Sequence, residues 1–250
     1  MPGGFGYYRA LRRYRDHTYV HERDKHTVRR KHFEHEGWGE RTPDGLRRRD
    51  YASYEEYVVH QQQKLDETLK LRGGFPNDAV YAWRVRFYRR FKHLVGLLPA
   101  DATIVCAGAR TGTEVEVLRD LGFKRAYGID LNPGPSNPLV RVGDFMHLEN
   151  ETSSVDLVYS NSIDHAFDLE QLFAEHARVI KPDGYVLYEL DLGLGRTEST
   201  HPFESVVWSH EDVVVQLMLR HFDRLVRAET EPGWKWILLQ GSASGDQRAP

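Results

Sequence analysis

The sequence predicts an α/β fold whose core is a mostly parallel sheet with helices on both faces and a closing antiparallel hairpin. First, residues 102–130 read as strand, glycine turn and helix: an apolar run breaks at Gly108, and apolar residues then recur at helical spacing. Second, strand and helix patterns keep alternating through the middle of the chain, which favours parallel strands joined by crossovers. Third, two strand patterns, 222–229 and 234–239, flank the turn residues Glu231-Pro232-Gly233.

Length and composition allow a soluble domain with an extension. The 250 residues carry a formal net charge of -3, which gives no global reason to expect nucleic acid as a partner. The single cysteine, Cys106, lies in an apolar strand pattern, so we expect a buried, unreactive thiol in a reducing compartment. No apolar run is long enough to span a bilayer. We therefore expect a cytoplasmic protein without a membrane span.

The first fifth of the chain differs from the rest. Residues 1–50 form a basic, aromatic-rich arm with 13 Lys and Arg against 8 Asp and Glu, a net charge of +5 that leaves -8 on the remainder. Such an arm can bind phosphates or stack on bases. Interleaved acids such as Asp16, Glu22 and Asp24 break up the positive stripe, which favours a solvated arm instead. Its histidines lack paired spacing with cysteines, so a zinc site is not expected.

Residues 51–99 are predicted to form two N-terminal helices. Ser53 with Glu56 three residues later makes a capping box, and this helix runs to about Leu71, before a glycine pair. The second helix is predicted over 78–98 and closed by Pro99. Both helices either cover a ligand site or simply pack on the edge of the sheet.

The glycine turn indicates a nucleotide-like ligand. It reads Gly108-Ala109-Arg110-Thr111-Gly112, which lacks the G-x-G-x-x-G spacing of dinucleotide sites. The next strand pattern, 126–129, ends on Asp130, a carboxylate at the position that accepts hydrogen bonds from a ribose diol. Together these residues predict an adenosine-containing cofactor at the carboxyl ends of parallel strands.

Five further elements follow Asp130 before the hairpin. A strand over 139–142 leads into Gly143-Asp144-Phe145, and a strand over 154–160 leads into a loop beginning at Asn161. An amphipathic helix is predicted over 167–179 and a strand over 185–190. A helix rich in valine and leucine then precedes the hairpin, and the tail 241–250 is small, polar and expected to be flexible.

Residues 100–240 resemble class I S-adenosylmethionine-dependent methyltransferases. Four landmarks occur in the family's order: the Gly108 turn, Asp130, Gly143-Asp144-Phe145, and the turn 178–184. The resemblance implies a Rossmann-like, seven-stranded sheet, S-adenosylmethionine as cofactor and S-adenosylhomocysteine as product. Two positions depart from the family pattern, since Arg110 replaces its middle glycine and Cys106 its acid before the turn.

The resemblance also implies the cofactor-binding residues. In it Asp130 holds the ribose, Asp144 caps the adenine amine and Phe145 packs on the adenine ring. The implied cofactor-binding residues are Ala107, Gly108, Ala109, Arg110, Thr111, Gly112, Asp130, Leu131, Gly143, Asp144, Phe145, Asn161 and Ser162.

A narrower resemblance is to bacterial and viral methyltransferases associated with glycosyltransferase systems. It rests on Gly-Ala-Arg-Thr-Gly-Thr-Glu-Val, on Gly-Ile-Asp-Leu-Asn-Pro-Gly, on the loop 161–168 and on the helix segment 54–61. This resemblance implies O-methylation of a sugar, a glycan or a glycosylated small molecule, with glycosyltransferases as candidate partners. A homodimer is considered as well, independently of this resemblance.

Methylation of a hydroxyl needs a proton acceptor, because an alcohol is a poor nucleophile at neutral pH. Asp164 and His165 follow the fourth predicted strand, where they lie above the methyl donor. His165 is the predicted general base, since imidazole titrates near working pH, and Asp168 is a candidate to orient it.

Four alternatives remain open at the sequence level. Asp164 and Asp191, with Glu189 nearby, could bind a divalent metal such as magnesium, although capping roles are favoured because the sequence offers only single acids at each strand end. His60 and Gln61 are possible site residues on the first helix. The arm 1–50 suits an RNA methyltransferase, and Arg110 in the glycine turn suits a binding or scaffold protein that keeps the fold without turnover.

Overall fold

The computed structural model describes residues 37–43, 45–72, 77–191, 203–231 and 233–241, so most of the basic arm and the tail lie outside the described residues. The strands are β1 (Leu46–Arg48), β2 (Ile104–Ala107), β3 (Ala126–Asp130), β4 (Val140–Val142), β5 (Val155–Ser160), β6 (Ile180–Asp191), β7 (Val206–Trp208), β8 (Arg224–Glu231) and β9 (Trp234–Gln240). The helices are α1 (Tyr54–Arg72), α2 (Asn77–Phe91), α3 (Thr113–Asp120), α4 (Leu169–Val179) and α5 (Glu211–His221), and a 3-10 turn spans Ile163–His165.

The main sheet has seven strands in the order β4-β3-β2-β5-β6-β9-β8. Pairing is parallel from β4 to β6 and antiparallel between β6, β9 and β8. The Rossmann-like sheet with a closing hairpin is therefore confirmed. After β2 the chain moves outward to β3 and β4 and then returns to the other side of β2 as β5. A crevice forms at such a reversal, outside the carboxyl ends of the strands.

The two faces of the sheet carry separate hydrophobic cores. Alternation along β5 sends Val158 to one face and Tyr159 to the other. On the first face Tyr57 of α1 and Phe173 of α4 are fully buried, together with side chains of α5. On the second face α2 and α3 bury side chains such as Phe91. Helices on both faces were predicted, and this is confirmed.

The second helix is shorter than predicted, ending at Phe91 rather than at residue 98. The apolar pattern continued because Leu94 and Leu98 are still buried, at 2% and 8% exposure, although they lie in turns. Gly96 has a φ of 89°, a left-handed conformation that ends helical geometry and favours glycine. In this segment, buried residues in turns show the same apolar spacing in the sequence as a continued helix would.

A small second sheet was not predicted. β1 and β7 pair antiparallel, with Arg47 opposite Val207. A backbone hydrogen bond from Arg49 N to Ser205 O, 2.8 Å, extends the contact. This pairing joins the segment before α1 to the segment after β6. Among the described helices, none is long and apolar enough to cross a membrane.

Candidate active site

The turn after β2 is held in an unusual backbone conformation. Gly108, Arg110 and Gly112 have φ values of 78°, 45° and 86°. Gly108 N and Ala109 N donate to Ile129 O at 2.9 and 3.0 Å, which fixes the turn against β3. A Cβ on Gly112 would lie 2.9 Å from atoms of Leu139 and Val140, so only glycine fits there. The turn therefore presents backbone rather than side chains at its two glycines.

Asp130 lies at the end of β3 beside this turn. Its Oδ2 accepts from Arg110 N at 2.9 Å and its Oδ1 accepts from Asn132 N at 2.9 Å. An ionised carboxylate has about four acceptor positions, so both oxygens retain capacity to accept hydrogen bonds from a ligand diol. Asn132 in turn donates through Nδ2 to Gln62 O of α1 at 2.7 Å.

Asp144 follows β4 and is already well supplied with donors. It accepts from the Tyr54 hydroxyl of α1, from Met146 N at 2.8 Å, and lies 3.2 Å from His147 Nδ1. Phe145 is buried at 7% exposure, and its ring lies 4.0 Å from the Cβ position of Gly108. The structure thus places Gly143-Asp144-Phe145 next to the glycine turn.

The loop after β5 closes the other side of the crevice. The Cβ of Ser162 is 3.0 Å from where a Cβ on Gly108 would stand, and Ser162 Oγ is 3.1 Å from Asn161 Oδ1. This close approach exists because β2 and β5 are parallel neighbours. A side chain at position 108 would push the two loops apart.

His165, in the 3-10 turn, is held by both ring nitrogens. Its Nδ1 is 2.5 Å from Phe203 O, a carbonyl that can only accept, so this nitrogen carries the hydrogen. Its Nε2 is then the acceptor, and Lys64 Nζ of α1 lies 2.7 Å from it. Asp164 Oδ1 is 3.8 Å from the same Nε2. Burial and the neighbouring Lys64 charge hold the pKa of His165 well below its usual range.

The prediction that Asp168 orients His165 is wrong. Asp168 is the N-cap of α4 and accepts from Glu170 N and Gln171 N at 2.8 and 3.1 Å. Its other oxygen pairs with Arg48 at 3.0 Å. These donors satisfy a helix start, and the carbonyl of Phe203 orients the imidazole instead.

Lys64 is a site residue that the sequence analysis missed. Burial lowers its pKa to about 7, and the charge of Arg110 lowers it further, while Asp164 and Asp130 act in the opposite direction. A lysine of this kind is partly neutral at physiological pH and can accept a proton. The sequence predicted only that Lys64 lies in a helix. Its neighbours in the fold come from the loops after β2, β3 and β5, which are distant in sequence.

Glu114 is the second missed residue. It lies in the first turn of α3, at 6% exposure, and burial raises the pKa of its carboxyl to about 8. Glu114 follows Gly112 by two residues, and the charges of Arg110, Asp130 and Glu189 all act on its carboxyl. An acid in the first turn of a helix usually compensates the helix dipole at the surface. For that reason nothing in the sequence indicated that Glu114 is buried.

Other candidates are engaged elsewhere. Gln61 donates to Phe203 O at 2.9 Å, in the segment before β7, and His60 lies 2.9 Å from the hydroxyl of Tyr51, in the segment before α1. Glu189 is paired with Arg86 and Arg90. Within the part of the chain that the structure describes, no group of three acidic, histidine or cysteine side chains is arranged to hold a metal ion.

Comparisons with known proteins agree with this geometry. Residues 105–188 match the family model of a methyltransferase domain. A search of curated proteins gives no significant match.

Solved structures with the same fold include three at low sequence identity. A 1,6-didemethyltoxoflavin-N1-methyltransferase from Burkholderia thailandensis, with bound S-adenosylhomocysteine, is 15% identical over 79% of this chain and 96% of its own, with a TM-score of 0.58. A putative methyltransferase from Haloferax volcanii, in complex with the Trm112 activator, is 17% identical over 75% and 98%, with a TM-score of 0.52. A putative sarcosine dimethylglycine methyltransferase from Galdieria sulphuraria is 15% identical over 67% and 89%, with a TM-score of 0.50. Identities at this level show the fold and leave the acceptor open.

The predicted cofactor residues lie at or after the carboxyl ends of β2, β3, β4 and β5, and the family match runs from β2 into β6. Residues 105–188 therefore form a methyltransferase domain, which makes the chain a methyltransferase enzyme, and its sheet has the Rossmann-like fold of the solved methyltransferases.

Proposed function

We propose that the chain transfers a methyl group from S-adenosylmethionine to a hydroxyl of a sugar, a glycan or a glycosylated small molecule. The observation that carries the reaction type is the Lys64–His165 pair, with 2.7 Å between Nζ of Lys64 in α1 and Nε2 of His165 in the 3-10 turn after β5. A hydroxyl acceptor needs such a proton acceptor. Support for the sugar comes from the sequence motifs given above.

The residues present fit the cofactor. The glycine turn offers backbone where a nucleoside must approach closely, and Asp130 retains acceptor capacity for a diol. Asp144 and Phe145 lie on the same side of the crevice, where they would hold the adenine. When bound, S-adenosylmethionine supplies an electrophilic methyl group on a sulfonium.

The chain's own side chains handle the proton. His165 is fixed by the Phe203 carbonyl with Nε2 as acceptor, so a neutral Lys64 donates one hydrogen to Nε2 and keeps its lone pair for the hydroxyl proton. Lys64 then becomes an ammonium, which Asp164 and Asp130 stabilise. We propose Lys64 and His165 as a unit for the role predicted for His165 alone, with Asp164 supporting it.

The N-terminal helix is proposed to cover the cofactor. Along its length α1 contacts the loops after three strands: Tyr54 binds Asp144, Gln62 O binds Asn132, and Lys64 reaches His165. Glycosyltransferases are proposed as partners because they generate the glycan acceptor, and a homodimer stays a prediction. The Burkholderia relative is named for N-methylation of a small heterocycle, so amine acceptors belong in any test.

A tritiated methyl-transfer assay with a panel of sugar, amine and RNA acceptors tests the proposal. Lys64→Met and His165→Asn should each lower kcat by about 10²- to 10⁴-fold. The kcat/KM of the wild type should rise with pH through about 7, as Lys64 loses its proton. Lys92→Met and His210→Ala, on exposed side chains, are matched controls. Turnover restricted to amines or RNA contradicts the acceptor, and full activity in both variants contradicts the pair.

A further inference from the structure

The carbonyl of Phe203 accepts hydrogen bonds from two side chains that are distant in sequence. His165 Nδ1 lies 2.5 Å from this oxygen, and Gln61 Nε2 of α1 donates to it at 2.9 Å. A carbonyl only accepts, so both nitrogens that face it carry hydrogen, and this fixes which way the Gln61 amide points. Phe203 and Gln61 are buried, at 5% and 9% exposure. Gln61 therefore shares the acceptor that orients the imidazole.

The segment 203–205 joins α1 to the 3-10 turn and belongs to no helix or strand. Its contact with the 3-10 turn includes a backbone hydrogen bond from Ser205 N to Asp164 O, 2.8 Å. The pairing of β7 with β1 begins only after this segment, at Val206. Because Phe203 precedes that pairing, the direction of its carbonyl depends on the side chains that donate to it.

A second hydrogen bond holds the Gln61 amide in one orientation. Gln61 Nε2 also donates to Ser205 Oγ, at 3.1 Å, and Ser205 is 1% exposed. Ser205 Oγ lies 2.8 Å from the Tyr51 hydroxyl, which lies 2.9 Å from His60 Nδ1. An amide nitrogen carries two hydrogens, so both donor positions of Gln61 are used. Rotation of the amide would break both hydrogen bonds.

The helix α1 thus acts on both ring nitrogens of His165. Gln61 and Lys64 are three positions apart, which makes them neighbours on one face of the helix. Lys64 Nζ is 2.7 Å from Nε2, and Gln61 acts on the Nδ1 side through the Phe203 carbonyl. In a neutral imidazole the partner of one nitrogen sets the role of the other. A carbonyl at Nδ1 leaves the lone pair on Nε2, where Lys64 lies.

We propose that Gln61 is a positioning residue, which holds the Phe203 carbonyl in place and so keeps His165 in the tautomer with hydrogen on Nδ1. This inference deepens the proposed function and rests on it for the role of the Lys64–His165 pair. Gln61 takes no proton and acts only through the carbonyl. Without Gln61 the carbonyl can turn, and the imidazole then exchanges tautomers, so that the Nε2 lone pair faces Lys64 for less of the time.

The variant Gln61→Met tests the assignment, because it keeps the length of the side chain and removes both donors. We expect it to lower kcat by about 10-fold, the effect of one lost hydrogen bond, with unchanged KM for the acceptor and unchanged Kd for S-adenosylhomocysteine. In ¹⁵N NMR spectra without substrate, the wild type should show His165 with hydrogen on Nδ1, and Gln61→Met a mixture of both tautomers. The spectrum of His165→Asn identifies the His165 signals. Gln63→Met, the same change at an exposed position of α1, is the control and should alter none of these quantities.

The outcomes separate this inference from the proposed function. A single, unchanged tautomer in Gln61→Met overturns the role of Gln61, and so does a loss of kcat that comes with equally weaker binding of S-adenosylhomocysteine. Should Gln61→Met not fold, the wild type decides, because a His165 that carries its hydrogen on Nε2 overturns the inference. The NMR comparison needs no acceptor. If the wild type methylates no hydroxyl but shows the expected tautomers, the proposed function fails and the placement of His165 by Gln61 stands.

Discussion

Two buried glutamates show opposite solutions to the same physical problem. Glu189, at 1% exposure, receives Arg86 Nε at 3.0 Å and the Tyr159 hydroxyl at 2.8 Å, with Arg90 at 3.5 Å. Glu114, at 6% exposure, has no such donors among the described residues. A buried charge is tolerated when it is paired, and otherwise the carboxyl retains its proton. Both residues are buried, but only Glu189 has cationic and hydroxyl donors that compensate its charge.

The largest expected effect comes from unpairing Glu189. Arg86→Met removes a buried cation that also lies 3.5 Å from the centre of the Trp234 ring, and it leaves Glu189 with a weaker partner in Arg90. We expect a loss of about 3–5 kcal/mol in the free energy of unfolding, measured with urea.

Arg84→Met is the matched control for this variant. Arg84 lies on the same helix and pairs with Glu116 and Asp120 at the surface. Exposed pairs contribute under about 1 kcal/mol. If the two variants lose equal stability, the buried cluster is not what holds α2 to the sheet.

Substitution of Glu114 should change the free energy of unfolding in the opposite direction, towards higher stability. Burial raises the pKa of its carboxyl from 4.5 to about 8 in the folded protein. The folded state then keeps a proton that the unfolded state releases, so the contribution is complete below pH 4.5 and is lost as pH rises through about 8. Glu114→Gln should remove this loss and stabilise the ligand-free protein by about 1–3 kcal/mol at pH 8.

The measurement for Glu114 is a comparison of two curves. Urea unfolding of wild type and Glu114→Gln from pH 5 to pH 8.5 should give a difference that grows with pH. If the unfolding free energies of the two proteins stay a constant distance apart across this pH range, the ionised Glu114 carboxyl is stabilised in the folded protein. The contrast with Glu189 would then disappear.

The contrast also explains what the sequence could predict. Strand order, the glycine turn and Asp130 depend on local pattern, because parallel strands place their carboxyl ends at one edge. Pairings between distant residues leave no local pattern. Arg86 and Glu189 are 103 positions apart, and Lys64 and His165 are 101 apart. For that reason Glu189 was considered as a metal ligand, while Lys64 was not considered as a site residue.

The same reasoning explains the error at Asp168. A histidine with an acid three residues later suggested a pair, but the acid starts α4 and its local role as an N-cap prevails. The antiparallel pair β1–β7 was missed because a strand of three residues is too short for periodicity to show. Local chemistry was predictable, and long-range partners were not.

Asp144 is intermediate between the two glutamates in how far its carboxylate is compensated by donors. Removing one of its donors gives the smallest expected effect. Its side chain is 17% exposed and it accepts from Met146 N even without the Tyr54 hydroxyl. Tyr54→Phe removes a single donor from a carboxylate that water can still reach. We expect a loss of about 1 kcal/mol in the free energy of unfolding, measured with urea against Tyr81→Phe, whose ring is exposed. A loss as large as that of Arg86→Met would place Asp144 with Glu189, as a charge that the fold cannot leave unpaired.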